Sequence, residues 1–136
     1  MAGLVLDSSI ALSWCLPDEQ RTDQIQQVVA RSGAMAPAHW PLEVANALLM
    51  AERRRRISAD FRNAALHDLA ALPIALDSET SARAWDETLR LAEVHRLTVY
   101  DAAYLELAQR SALPLATLDA GLRVAARELG VDVMAG

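Results

Sequence analysis

Gly3-Leu4-Val5-Leu6-Asp7-Ser8-Ser9 opens on a short apolar run that ends at a carboxylate. Such a run, with no polar alternation, fits a strand covered on both faces, as in a parallel sheet. Leu113-Pro114-Leu115-Ala116-Thr117 repeats the pattern and ends near Asp119, and Pro73-Ile74-Ala75-Leu76-Asp77 repeats it again. Ala34-Met35-Ala36 and Val131-Asp132-Val133-Met134 are short enough to add two further strands, the second at an edge.

The segments between these runs have helical periodicity. Ser8 or Ser9 can cap a helix through Ile10, Ala11, Leu12 and Trp14 that stops near Pro17, and Asp18-Glu19-Gln20 reads as a polar loop. Thr22 or Asp23 opens a second helix with Ile25, Val28 and Val29 inward, closed by Arg31-Ser32-Gly33. A longer helix begins near Pro37 and Pro41 and runs through Glu43, Val44, Ala47, Leu48 and Ala51 to Arg53-Arg54-Arg55-Arg56. Ser58 caps the next, with Phe61, Ala65, Leu66 and Leu69 on one face. Ser78 or Ser81 precedes another, which places Ala84, Trp85, Thr88, Leu89 and Ala92 at helical spacing. Thr98 to Ala108 forms a further helix with Val99, Ala102, Ala103 and Leu107 on its apolar face, and Leu122, Ala125, Ala126 and Leu129 mark the last, ended by Gly130. Strands alternating with helices through short loops define an α/β layered fold with a mostly parallel sheet. Such sheets bind ligands beyond the carboxyl ends of their strands, where Asp7 and Asp119 fall.

Composition narrows the function. The 136 residues suit one domain, 1–136, and 53% hydrophobic content argues for a packed core rather than disorder. With aromatics at 4%, Ala, Leu and Val must fill that core. Cys15 is the only cysteine, so no intramolecular disulfide forms and a reducing compartment, the cytoplasm, is expected. Asp7 interrupts the apolar start and no basic region precedes it, so neither a signal peptide nor a membrane span is expected. The net charge of −5 argues against a basic coat for nucleic acid, without excluding a local site. All 13 basic residues are arginine, which removes any mechanism that needs a catalytic lysine.

Four acids stand out. Asp7 and Asp119 follow buried strands, while Glu43 and Asp101 lie in the first turns of apolar helices. Taken singly, each has an ordinary reading as a helix cap or dipole partner. Brought together, they would raise one another's pKa, and a divalent cation would relieve that repulsion. Hard oxygen donors suit Mg²⁺ or Mn²⁺, and such a centre can activate water and stabilise charge on a phosphoryl group. A receiver-like phosphoryl-transfer reading fails, because Ser9 stands where a second acid is needed and no lysine exists.

The same residues resemble PIN-domain ribonucleases, and among them the VapC-like toxins. Leu4-Val5-Leu6-Asp7-Ser8-Ser9 is similar to the family's opening strand with its first acid and a hydroxyl two residues later. Pro41-Leu42-Glu43-Val44-Ala45-Asn46-Ala47-Leu48 resembles the second acidic motif, with Asn46 one turn beyond Glu43. Leu97-Thr98-Val99-Tyr100-Asp101-Ala102-Ala103-Tyr104-Leu105-Glu106-Leu107-Ala108 resembles the third, and Leu115-Ala116-Thr117-Leu118-Asp119 the fourth. The resemblance implies a PIN-like three-layer α/β/α fold and a metal-dependent endoribonuclease, with Mg²⁺ or Mn²⁺ held by Asp7, Glu43, Asp101 and Asp119. It also implies an RNA substrate, a VapB-like antitoxin and a homodimer. Ala120 and Gly121 stand where some members carry a further acid.

Other residues are weighed against plainer roles. Ser9, Asn46 and Thr117 are read as groups that hold the carboxylates or bind phosphate, the alternative being an ordinary cap or turn. Arg53, Arg54, Arg55 and Arg56 could contact RNA phosphates or simply complete a solvated helix end. His39 and His95 read as capping or surface residues, and Trp14, Trp40 and Trp85 as core or interface. Asp77 reads as the cap of the helix that follows it, while Tyr100, Tyr104 and Leu107 read as the packing that holds Asp101. A non-catalytic module binding RNA or a partner protein is the competing function.

Overall fold

The computed structural model describes residues 2–17 and 22–134. The loop expected at Asp18-Glu19-Gln20 lies outside the described residues. Five strands, β1 (Val5–Leu6), β2 (Ala34–Ala36), β3 (Ile74–Leu76), β4 (Leu115–Ala116) and β5 (Val133–Met134), form one sheet in the order β3-β2-β1-β4-β5. Every pairing is parallel, and Val5 lies between Met35 on one side and Leu115 on the other. The chain therefore builds outward from β1 to β3, then crosses back to lay β4 against the other side of β1. That reversal makes the β1/β4 boundary the topological switch point, where a parallel sheet opens a crevice at its carboxyl end.

Helices fill both sides. α1 (Ser8–Cys15), α2 (Asp23–Ser32), α3 (Trp40–Arg53) and α4 (Ala59–Ala70) connect β1 to β3, with α3 packed on α1 and α4. α5 (Thr80–Arg83), a π-helical turn (Ala84–Thr88) and α6 (Leu89–His95) lead into α7 (Val99–Ser111), which packs on β1, β4 and α8 (Ala120–Leu129). Right-handed crossovers place the first four helices on one face, and the reversed direction after β3 places the rest on the other. Leu4, Val5, Leu6, Leu115 and Ala116 are buried to the last atom, as a strand covered twice must be. Gly33 ends α2 at φ 76° and leads straight into β2; a Cβ there would come within 3.1 Å of the Pro73 carbonyl. Only glycine meets both demands without strain.

Four sequence expectations are corrected. The helix after β3 buries Thr88, Leu91 and Ala92, while Trp85 is 90% exposed and Leu89 50%. The cause is the π-helical turn, whose wider hydrogen-bond spacing accommodates one extra residue and rotates the face that a uniform 3.6-residue period would turn inward. Phe61, expected inward, is 44% exposed because it lines a shallow groove with Trp14, Cys15 and Leu69 rather than entering the core. In α7, Val99 and Tyr100 are exposed, and burial begins at Ala102 and continues through Ala108 on every face, since α7 is covered by the sheet and by neighbouring helices at once. Neither Ser8 nor Ser9 caps α1: Asp7 holds that position, and the Ser9 hydroxyl turns back to donate to it.

Candidate metal centre

The carboxyl end of β1 delivers Asp7 into the switch-point crevice, where it is buried. Asp7 Oδ2 accepts hydrogen bonds from Ser9 Oγ at 2.6 Å and from Thr117 Oγ1 at 2.7 Å. Burial pushes its carboxyl above the usual range; these two hydroxyls and the Ser8 N–H oppose the rise, and the Asp119 charge adds to it. Thr117 and Ser9 do more than hold Asp7. Thr117 Oγ1 accepts from the Asp119 N–H at 3.0 Å, and Ser9 Oγ accepts from the Leu118 N–H at 3.0 Å, so the turn after β4 is fastened to the acid after β1. Asp119 caps α8, with Oδ2 accepting from the Leu122 N–H at 2.8 Å. Its cap role coexists with a position facing Asp101 and Asp7.

Glu43 arrives from the other face, in the first turn of α3. The buried Tyr104 phenol donates a hydrogen bond to it, and the Tyr104 hydroxyl itself takes one from Ser8. His39 Nε2 lies 3.5 Å from Glu43 and 3.1 Å from the Tyr100 carbonyl oxygen. Burial holds the Glu43 carboxyl above its usual range, with the Asp7 charge adding to the rise, although the Tyr104 hydrogen bond and His39 pull it down.

Asp101 closes the set. Thr98 caps α7 by accepting from the Asp101 N–H at 3.1 Å, which fixes the first turn that carries the acid. Its pKa is pushed up to about 6, first by burial and then by the charges of Asp7, Asp119 and Glu43. All three other acids thus act on Asp101, and the four carboxylates share one field.

The set fits a hydrated hard cation. Its protein donors are all carboxylate oxygens, supported by hydroxyls, and among the described residues no three His, Cys, Asp or Glu side chains are grouped so as to hold a metal ion by themselves. Mg²⁺ and Mn²⁺ centres tolerate this, because such ions keep several waters and take only one or two carboxylates plus substrate phosphate directly. A carboxyl pushed up to about 6 by burial first and by three neighbouring acids besides has the chemistry a divalent ion satisfies.

Other candidates fall elsewhere. Asn46 is exposed, and with His39, Leu42, Glu43 and Tyr100 it lines a shallow depression of about 250 Å³ beside the acids. Arg53, Arg54, Arg55 and Arg56 are exposed; Arg53 ends α3, ten residues from Glu43 and so about 15 Å along the helix axis, and the other three follow in the turn beyond it. Tyr100, expected to pack Asp101 in place, is 66% exposed and contacts His39 instead. His95 is neither cap nor bystander: its Nδ1 lies 3.1 Å from Glu128, tying α6 to α8. Asp77 does not cap the following helix but is buried against Arg110. Sequence reasoning missed the bonding role of Tyr104 and the cap at Thr98, although Thr98-Val99-Tyr100-Asp101 has capping-box spacing and Tyr104 lies one turn from Asp101.

A parallel sheet with an acid at each side of its switch point, joined by two acids from flanking helices, is the architecture of a PIN domain. Residues 4–128 match the PIN domain family, and the chain belongs to it. It is 32% identical over 120 residues to a protein named Ribonuclease VapC3 in Mycobacterium tuberculosis, covering 85% of this chain and 82% of that one. It is also 32% identical over 117 residues to a Ribonuclease VapC3 of Pyrobaculum aerophilum, covering 85% and 88%. The fold superposes on PAE2754 from Pyrobaculum aerophilum with a TM-score of 0.73 at 21% identity, over 97% of this chain and 89% of that one. FitAcB from Neisseria gonorrhoeae gives 0.63 at 16% identity, over 96% of each chain.

Proposed function

We propose that this chain is a single PIN-like unit acting as a Mg²⁺- or Mn²⁺-dependent endoribonuclease, the toxin of a toxin–antitoxin pair. The observation that carries the reading is the gathering of acids at the β1/β4 crevice, where Thr117 joins Asp7 to the Asp119 turn and the charges of Asp7, Asp119 and Glu43 add to the effect of burial on Asp101. Relatives named ribonuclease over most of the chain support the RNA substrate and the hydrolytic class.

Asp7, Glu43, Asp101 and Asp119 would hold the ion. When bound, it would supply an activated water and stabilise charge growing on the phosphoryl oxygens. Ser9 and Thr117 hold the Asp7 carboxylate in place and oppose part of the rise in pKa that its burial causes. Tyr104 holds Glu43 by a bond from a fully buried ring. Water adds to phosphorus and the bond to the 3′ oxygen breaks, which leaves a 3′ hydroxyl upstream and a 5′ phosphate downstream. The exposed Arg53 to Arg56 run would contact RNA phosphates away from the scissile one. A VapB-like antitoxin and a second copy of this chain complete the assembly we propose, and the cytoplasm is its setting. No helix among the described residues is long and apolar enough to cross a membrane.

Melting curves in rising Mn²⁺ separate this reading from a metal-free binding module. Binding to the folded state alone raises stability by about 2.7 kcal/mol at a hundred times the dissociation constant. An increase of several degrees, absent in Asp101→Asn, is expected; an unchanged melting temperature at millimolar Mn²⁺ favours the binder.

A further inference from the structure

Glu43 and Asp101 ride on helices that do not pack broadly on each other. α3 rests on α1 and α4, while α7 rests on α6, α8, the π-helical turn and the sheet. The α3 entry is seated in the core through the buried Trp40 and Val44, and polar bonds tie it to α7 as well. One tie is at the start of α7, where His39 meets the Tyr100 carbonyl and Tyr104 meets Glu43.

A second tie is at the other end of α7. Ala38, two residues before α3, donates its N–H to Thr80 Oγ1 at 3.0 Å. Thr80 Oγ1 lies 3.0 Å from Asp77 Oδ2 and 3.3 Å from the Asp77 carbonyl, and its one proton favours the carboxylate. Asp77 in turn accepts two bonds from Arg110, at 2.6 Å and 3.3 Å. Glu106 grips the same guanidinium at 2.8 Å and 3.0 Å. Asp77 and Glu106 are both buried, and neither belongs to the acidic crevice. Arg110 follows Asp101 by nine residues, two and a half turns or about 13 Å along the axis. Both ties hold α3 at its entry, and on the α7 side they are anchored at opposite ends of that helix.

We propose that the relay Ala38, Thr80, Asp77 and Arg110 is a positioning device that sets Glu43 against Asp101 across the metal centre. Thr80 is its side-chain joint, accepting from Ala38 and donating to Asp77, beside the backbone bond that Asp77 N–H gives the Ala36 carbonyl at 2.8 Å. A buried ion pair is weak evidence for stability, since apolar residues of similar volume often serve as well. Its connection through a hydroxyl to the segment that launches Glu43 gives this one a geometric task.

This inference rests on the metal reading above. Isothermal titration with Mn²⁺ at 25 °C, beside circular dichroism and melting curves, tests it on wild type, Thr80→Val and Thr80→Ser. Thr80→Val keeps the shape but removes both hydrogen bonds; Thr80→Ser keeps them. Loss of an outer contact typically weakens metal binding by about tenfold or more. The expected result is Mn²⁺ affinity about tenfold weaker in Thr80→Val and near wild type in Thr80→Ser, with both variants folded. Equal affinity in wild type and Thr80→Val overturns the relay and leaves the metal centre standing. A wild type that binds no Mn²⁺ overturns the metal centre itself and the relay with it. If Thr80→Val does not fold, Thr80→Ala, which also removes both hydrogen bonds, replaces it, and wild-type affinity there contradicts the proposal.

Discussion

Thr117 Oγ1 sits 2.7 Å from Asp7 Oδ2, joining residues 110 positions apart inside the crevice between β1 and β4. The same hydroxyl accepts from the Asp119 N–H, so one atom bridges two of the four acids. Thr117→Val keeps the side-chain shape and removes the bridge. A hydrogen bond to a charged group contributes about 1.5–3 kcal/mol, and loss of such an outer contact weakens metal binding by about tenfold or more. Thr117→Val should lower the melting temperature and weaken Mn²⁺ binding in calorimetry, and Thr117→Ser should restore both. Unchanged Mn²⁺ affinity in Thr117→Val would remove the bridge from the account.

The acids should make the metal-free protein less stable as pH rises. An unfolded aspartate titrates near 3.9, about two units below Asp101 in the folded chain. The folded state therefore binds more protons between those values, and stability falls as pH climbs from about 4 through 6. Asp101→Asn removes this cost, so at pH 7.5 without metal it should melt a few degrees above wild type, and below pH 4 the two should agree. Scanning calorimetry across pH 4 to 8 in chelator reads both. A variant that melts well below wild type at pH 7.5 would contradict the raised pKa.

Asp77 behaves oppositely. Burial pushes its carboxyl up, but Arg110, the Glu79 N–H and Thr80 outweigh that and hold it below its usual range. A depressed folded pKa gives stability that is present above about pH 4 and is lost as pH falls through the folded value. Removing one partner of a buried pair costs about 3–5 kcal/mol. Arg110→Ala should therefore lower stability at neutral pH in urea denaturation, and the gap from wild type should narrow below pH 4. A gap that stays constant with pH would exclude the ion pair as its source.

The π-helical turn makes a prediction that local periodicity would reverse. Trp85→Ala removes a 90% exposed ring and should change stability by no more than about 0.5 kcal/mol. Leu91→Ala empties a fully buried site and should cost about 2–5 kcal/mol. Chemical denaturation of the two variants checks the phase of the whole helix, and the reverse ranking would restore the uniform period.

What sequence could and could not reveal follows from the range of each signal. The strands at Val5 and Leu115 and the acids that follow them were legible because an apolar run ending on a carboxylate is a local pattern. Glu43 and Asp101 were legible for the same reason, as acids in the first turns of apolar helices. The Asp77 pairing was not, since its partner lies 33 residues away and only the fold brings Arg110 to it. Trp85 was misread because the added residue of a π-helical turn leaves no mark in composition. Tyr104 was read as packing, and its ring is indeed buried, but a phenol's bonding partner is a tertiary fact.

The central claim is that Asp7, Glu43, Asp101 and Asp119 act as one metal centre that hydrolyses RNA. The most direct measurement incubates purified wild type, Asp7→Asn and Asp101→Asn with total RNA and Mn²⁺, with and without chelator, and analyses the fragment ends. Discrete fragments carrying 5′ phosphates should form only with wild type and free Mn²⁺. Identical RNA patterns for wild type, both variants and the chelated control would contradict the account.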